Sequence, residues 1–355
     1  MRMKQKNTVS IIGVDLFCGV GGLSHGLMKG GIRVAAGVDL DESCRYPYEA
    51  NNRSKFIRKD VRKLQSGDIE PFFAEGSLRL LAGCAPCQPF STYSQKNRTG
   101  IRDGKWDLLL EFGRLVREVQ PELVTMENVP QLHGQDVFQS FLDSLSGYHL
   151  WHGVVDCVRY GIPQTRKRLV LLASKLGPVS LIPPRRHAQK SVTVRDSISN
   201  LSKIVAGESN PADPLHTSCS LSPRNLRRIQ ASKPGGTWRD WPIGLRAKCH
   251  KKDSGMTYPS VYGRMEWDAP APTMTTQCFG YGNGRFGHPE QDRAISLREA
   301  ALIQSFPMDY KFVRPGDTVK FNVLGRLIGN AVPVTIGKIV ADSLMNHVVK
   351  LPNQK

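Results

Sequence analysis

The chain has 355 residues, with 49 lysines and arginines against 31 aspartates and glutamates, a formal charge of +18, and 40% hydrophobic residues. That composition excludes a disordered polyelectrolyte and a chain too small to bury a core, and it favours a polyanionic partner without choosing among DNA, RNA and an anionic membrane. No apolar run of the roughly 18 residues expected of a membrane span is evident. The basic start Met1-Arg2-Met3-Lys4-Gln5-Lys6 lacks a following leader pattern, so the expectation is a soluble intracellular protein.

In chain order, short apolar runs alternate with helical spacing. Strands are expected over 9–15, 32–39, 79–82, 123–127, 154–160 and 168–173. Between them, Leu108, Leu109, Phe112, Leu115, Val116 and Val119 recur at helical spacing, which predicts a helix over 106–118 ended by Pro121. This is the pattern of a doubly wound α/β sheet. From about 177 to 289 the periodicity weakens, and Pro183-Pro184, Lys233-Pro234-Gly235-Gly236 and Gly280-Tyr281-Gly282-Asn283-Gly284 mark a loop-rich second lobe. Helical spacing returns over 297–306, and a last helix is expected over 333–347.

The first strand runs into Asp15-Leu16-Phe17-Cys18-Gly19-Val20-Gly21-Gly22, a turn in which Gly19, Gly21 and Gly22 permit close backbone approach and Gly26 permits tight helix-to-strand packing. Such a turn is either a nucleoside-cofactor cradle or a structural glycine turn. Asp39, at the end of the second strand, favours the cradle, because a carboxylate there can accept from both ribose hydroxyls. Asp60 suits an adenine amino group or a helix cap, and Phe17 suits a stacking role or the core.

After the strand at 79–82 comes Gly83-Cys84-Ala85-Pro86-Cys87-Gln88-Pro89-Phe90-Ser91. The prolines prevent the strand from continuing and set Cys87 on a rigid loop at its carboxyl end, where open α/β sheets bind ligands. Cysteine forms a thiolate far more readily than serine forms an alkoxide, which suits attack on carbon. The Cys84-x-x-Cys87 pair is also compatible with a redox site, but no thioredoxin-sized domain surrounds it. Cys18, Cys44, Cys157, Cys219, Cys249 and Cys278 supply no second such pair, so no metal site is expected. Glu127 ends a buried strand on the same sheet edge as Cys87 and is either a ligand-binding acid or a loop residue. Arg166 and Arg168 alternate before the strand at 168–173, as an exposed basic face or as donors to Glu127 or a phosphate. Arg227 and Arg228 belong to a basic surface expected to face nucleic acid.

Taken together and in this order, these segments resemble the DNA cytosine C5-methyltransferases of bacterial restriction-modification systems. Asp15 to Gly22 is similar to that family's cofactor loop, Asp39 to its ribose acid, Asp60 to its adenine acid, and Pro86-Cys87-Gln88 to its catalytic loop. Glu127-Asn128-Val129 resembles its acidic active-site motif and Gln164-x-Arg166-x-Arg168 its paired arginines. Arg298-Glu299-Ala300 and Gln304-Ser305-Phe306-Pro307 resemble the segment that supports its recognition lobe, and Gly329-Asn330-Ala331-Val332-Pro333 its final cofactor motif. Cys18 stands where the family commonly has a small residue such as alanine.

The resemblance implies a Rossmann-like S-adenosylmethionine-dependent catalytic domain over 1–175, a smaller loop-rich target-recognition domain over 176–328, and a returning segment over 329–355. It implies attack of Cys87 on C6 of a cytosine flipped out of duplex DNA, with Glu127 on N3 and the amino edge, Arg168 on the base oxygen and Arg166 holding Glu127. Phe17, Gly19, Gly21, Gly22, Asp39, Asp60 and Asn330 are the implied cofactor contacts, Gln88, Arg227 and Arg228 the implied DNA contacts, and S-adenosylhomocysteine the implied product. A monomer in the bacterial cytoplasm, and a separate cognate restriction endonuclease forming no stable complex, complete the expectation. A tRNA cytosine methyltransferase on the same fold and a noncatalytic DNA-binding regulator are the alternatives; intact Cys87, Glu127, Arg166 and Arg168 argue against the second.

Overall fold

The computed structural model describes residues 10–86, 107–184 and 191–350. They form two compact units: 1–155, 167–183 and 334–355 make the first, 156–166 and 184–333 the second. The unit boundary at 183/184 falls a few residues beyond the expected 175/176, the return to the first unit begins at 334 rather than 329, and 156–166 groups with the second unit.

The first unit is built on a seven-stranded sheet. In chain order it contains β1 (Ile11–Leu16), α1 (Gly22–Lys29), β2 (Arg33–Asp39), α2 (Arg45–Asn52), β3 (Lys55–Arg58), α3 (Ser66–Ile69), β4 (Leu78–Gly83), α4 (Asp107–Val119), β5 (Leu123–Asn128), α5 (Asp136–Asp143), β6 (His149–Asp156) and β7 (Lys167–Ser174). The strand order is β3-β2-β1-β4-β5-β7-β6. Pairing is parallel from β3 through β5, and β7 joins β5 antiparallel. Strands β1 and β5 are buried along their whole length, as expected where helices cover both faces of a sheet, and are apolar apart from Asp15 in β1 and Thr125, Glu127 and Asn128 in β5. The apolar stripe of α4, including Phe112, Leu115 and Val116, packs with Phe138 and Phe141 of α5 against the sheet.

The expected strand over 154–160 is corrected. β6 ends at Asp156, whose carboxylate accepts from the Val158 N–H at 3.2 Å and turns the chain into a single 3-10 turn, Cys157–Tyr160, closed by Gly161 at φ 78°. An Asp cap followed five residues later by a left-handed glycine outweighs the apolar content of the segment.

The second unit holds α6 (Val194–Ile198), a two-stranded ribbon of β8 (Ser209–Asn210) and β9 (Asp213–Thr217), α7 (Pro223–Gln230), α8 (Leu297–Ile303), α9 (Phe321–Asn330) and several 3-10 turns. With so little sheet, many of its backbone carbonyls find buried arginines. Arg264 donates to the carbonyls of Ile229, Ser232, His288 and Gln291 and ion-pairs with Asp292. Arg293 forms a buried fork on Glu299, 2.7 Å to each oxygen. Trp238 and Trp241 are buried with Ile229, Tyr281 and Ala294 in this unit's aromatic core.

The chain returns to the first unit in α10 (Val334–Val349). Residues 321–349 are long and apolar enough, on those counts alone, to cross a membrane. The stretch is two helices interrupted around Pro333, and α10 lays much of its apolar surface on α1. That contact explains Gly26, which was expected to serve helix-to-strand packing. A Cβ at Gly26 would stand 2.2 Å from Val334 O and 2.6 Å from Gly337 Cα. Gly26→Ala should therefore lower the thermal midpoint by roughly 5–10 °C, an overpacking cost against unyielding backbone. Gly67→Ala, whose Cβ meets nothing within 4 Å, is the control and should shift it by less than about 2 °C in the same scan.

Candidate active site

Strand order reverses between β1 and β4, the kind of position at which open α/β sheets bind ligands beyond their carboxyl ends. The β1 exit is the glycine loop. Phe17, Gly19 and Gly21 all adopt positive φ, at 58°, 51° and 88°. Phe17 is partly buried against the core of the first unit. The loop is tied to the tip of β2: the Cys18 N–H donates to Val38 O at 3.1 Å, and the Gly19 N–H donates to Asp39 Oδ2 at 2.9 Å. The Asp41 N–H takes Asp39 Oδ1 at 2.9 Å. Backbone N–H groups thus hold both oxygens, and burial raises the Asp39 carboxyl from its ordinary value.

These residues fit S-adenosylmethionine. A Cβ at Gly19 would meet nothing within 4 Å, so the loop faces open space. Gly21 caps α1 without a side chain and no acid lies in the first turn, so the positive end of α1, beginning at Gly22, remains for an anionic group. Asp60 caps a 3-10 turn, accepting from the Arg62 N–H at 3.0 Å, and keeps part of its surface exposed. Asn330 is the exposed last residue of α9.

The sequence reading missed the acid beneath the loop. Asp15 is 1% exposed; its Oδ2 accepts from Ser24 Oγ at 2.6 Å, and its Oδ1 has no hydrogen-bond partner among the described residues. Ser24 continues to Tyr48 Oη at 3.1 Å and Tyr48 to Ser54 Oγ at 3.0 Å. Burial pushes the Asp15 carboxyl up to about 7. Burial, followed by the charge of Asp15, also keeps the Cys18 thiol protonated. An aspartate inside the apolar run Ile11–Leu16 was the signal available in the sequence.

At the β5 end, Glu127 and Asn128 are both 4% exposed. Glu127 pairs across from Val170, which puts Arg168, two residues along β7, diagonally on the same face. Arg168 Nε lies 2.8 Å from Glu127 Oε1. The contact is not an aligned hydrogen bond: Oε1 is buried with no aligned donor among the described residues, while Oε2 accepts from Cys84 Sγ at 2.9 Å. Asn128 Nδ2 donates to Ala85 O at 3.0 Å and anchors the chain where it leaves β4 toward Cys87. Cys87 and Gln88 themselves lie outside the described residues.

The expectation that Arg166 holds Glu127 shifts to Arg168. Arg166 belongs to the second unit, where its guanidinium donates to Met274 O at 3.0 Å and Gly329 O at 3.4 Å. Gln164 and Gln304 bond each other at 2.8 Å in the same knot, and Gln304 reaches Ile328 O at 2.8 Å.

The basic pair also divides. Arg227 is exposed on α7, but Arg228 is buried, donating to Leu245 O at 2.8 Å with its guanidinium 5.0 Å from the Tyr262 ring centre. The expectation of a DNA-facing Arg228 is corrected: on α7 its side chain turns inward, where the guanidinium serves the Leu245 carbonyl and packs on Tyr262.

A seven-stranded sheet of this order, with a glycine loop at its switch point and a buried acid at the end of β5, places the chain among Rossmann-like folds that bind nucleoside cofactors. The profile of the C-5 cytosine-specific DNA methylase family matches residues 11–346, and the chain belongs to that family. It is 53% identical to Type II methylase M.HgiDII of Herpetosiphon aurantiacus over 93% of this chain and 94% of that protein. It is 32% identical to Type II methyltransferase M1.BsuMI of Bacillus subtilis over 96% and 83%. A solved structure from E. coli, of a prophage-encoded protein assigned as a DNA modification methyltransferase, shares the fold with a TM-score of 0.75 at 24% identity, covering 96% of this chain and all of that one. The protein is therefore an S-adenosylmethionine-dependent enzyme that binds DNA and methylates cytosine at C5 through a flipped base and a covalent cysteine intermediate.

Asp15 gives the fold a pH signature. Its carboxyl rises from 3.8 when free to about 7 when folded, so its stabilising contribution is full below pH 4 and is lost as pH rises to about 7. Asp15→Asn keeps the Ser24 hydrogen bond without the charge. The variant's thermal midpoint should gain on the native protein by roughly 5 °C between pH 5 and pH 8 and level off above that. A gap that stays constant across this range, measured by calorimetry, would show that Asp15 ionises normally.

Proposed function

We propose that Cys87 is the nucleophile and Glu127 the acid that grips the flipped cytosine, in duplex DNA of a defined sequence. The observation that supports this most is Glu127 Oε1, a buried acceptor with no aligned donor among the described residues, ion-paired to Arg168 beside the strand whose exit leads to Cys87. Such an oxygen suits the amino edge of a base, whose donor would satisfy it. The Cys87 thiolate adds to C6, and the electron pair displaced from the C5–C6 bond makes C5 nucleophilic. Glu127 steadies the N3 and amino edge as that charge develops, and Arg168 serves the base oxygen and the Glu127 charge together. S-adenosylmethionine supplies the methyl group that C5 takes. Removal of the C5 proton then drives out the thiolate and restores the aromatic ring.

The cofactor contacts in this reading are Asp39 to the ribose, Asp60 to the adenine amino group, Phe17 against the base, the Gly19, Gly21 and Gly22 backbone, and Asn330. Arg166 serves by holding the 274 and 329 carbonyls. The second unit reads the target, with Arg227 on the phosphates, and Gln88 of the first unit contacts DNA near the extruded base. The reading includes a monomer working beside a separate restriction endonuclease; its bacterial setting is supported by the bacterial Type II relatives named above.

Two measurements test this reading. With S-adenosylmethionine and a duplex carrying 5-fluorocytosine at the target, the thiolate can add and the methyl can transfer, but no C5 proton is available, so an adduct at Cys87 should persist and be located by mass spectrometry. Cys87→Ser should abolish it; an adduct on another cysteine in an active preparation would refute the assignment. Separately, Arg227→Gln should reduce the salt dependence of DNA binding by about one charge while leaving the fold intact. Arg228→Gln should chiefly lower the thermal midpoint, by a few °C, as a buried donor is lost.

A further inference from the structure

Position 84 is the first beyond β4 where a side chain fits without crowding. At Gly83 a Cβ would stand 3.0 Å from Leu16 O and 3.0 Å from a Phe112 ring carbon. Strands β4 and β5 run parallel with Gly83 beside Met126, so the next step along each brings Cys84 beside Glu127 on a common face. There the Cys84 thiol donates to Glu127 Oε2 at 2.9 Å. The backbone that carries it is held twice: the Cys84 N–H donates to Leu16 O at 3.3 Å, and Ala85 O accepts from Asn128. Burial, and after it the Glu127 charge, pushes the Cys84 thiol well above its ordinary value, so the sulfur keeps its proton and serves as a donor.

The carboxylate is thereby fixed from both neighbouring strands, by the thiol from β4 on Oε2 and by Arg168 from β7 on Oε1. Rotation about the last side-chain bond of Glu127 would break the thiol bond. We infer that Cys84 is a positioning residue for methyl transfer: its S–H group locks the Glu127 carboxylate so that Oε1 stays presented to the base. This rests on the base-binding role proposed for Glu127. The two cysteines of the Cys-x-x-Cys stretch then have opposite duties, since a protonated thiol engaged with a carboxylate is unsuited to attack carbon.

The test compares Cys84→Ala, Cys84→Val, Cys84→Ser and Glu127→Gln in the full chain, by steady-state methylation of duplex DNA and by thermal midpoint. Loss of one hydrogen bond to a charged acceptor should lower kcat by about 5- to 10-fold in both Cys84→Ala and Cys84→Val. The KM for S-adenosylmethionine should stay within about twofold, because the Asp39 side of the site is untouched. Cys84→Ser restores an O–H donor and should recover most of the rate. Native kcat in either donor-free variant, or a serine variant as slow as alanine, would overturn the inference and leave Cys84 a packing residue. Should alanine fail to fold, valine, which fills the volume without a donor, carries the comparison. Glu127→Gln separates the two ideas: native activity there refutes the Glu127 role itself, whereas an inactive glutamine variant beside a native-rate alanine variant refutes only the role of Cys84.

Discussion

The reversal of strand order between β1 and β4 is the constraint on which the first unit's chemistry depends. Leu16 and Gly83 are register partners, so the two chains leave the sheet side by side. One turns into the glycine loop, and the other continues through Cys84 toward Cys87. Because β4 also pairs with β5, the same strand end lies next to Glu127. The glycine loop, the exit of β4 toward Cys87 and Glu127, to which cofactor, nucleophile and base-binding roles are proposed, thus follow from the pairing of neighbouring strands, with side-chain bonds supplying the last ångström of placement.

Charge does two different jobs in this chain. The excess of +18 invites the reading that its arginines face DNA. In the second unit, however, Arg166, Arg228, Arg264, Arg293 and Arg298 are buried and serve backbone carbonyls or carboxylates. A loop-rich unit leaves carbonyls that no strand partner satisfies, and a guanidinium with five N–H groups can serve several at once. Net charge therefore overstates the positive surface available to phosphates. Arg227, exposed on α7, represents the other class.

Where the fold rests on local period, the sequence was sufficient. The apolar runs that became β1, β2, β4, β5 and β7, and the spacing of α4 and α10, fell within a few residues of the expected ranges. Glu127 and Asp39 were found because strand ends are visible as the points where apolar runs stop. Other features depend on partners distant in sequence. Arg228 and Arg227 look alike in one dimension, and only the position of Leu245 and Tyr262 separates them. The exchange of Glu127 from Arg166 to Arg168 followed from antiparallel register, which no motif encodes. Cys84 was noticed only as half of a Cys-x-x-Cys pair, since its bond to Glu127 spans 43 residues. Asp15 could have been suspected, because an acid inside a six-residue apolar strand must be buried or break the strand.

The central claim is that cofactor and flipped base meet over the carboxyl ends of β1, β4 and β5. A crystal structure of the enzyme with S-adenosylhomocysteine and its duplex target tests it most directly. The account predicts ribose hydroxyls on Asp39 and the amino edge of an extruded cytosine within hydrogen-bond distance of Glu127 Oε1. A cytosine bound away from Glu127, or a ribose that leaves Asp39 without contact, would contradict it.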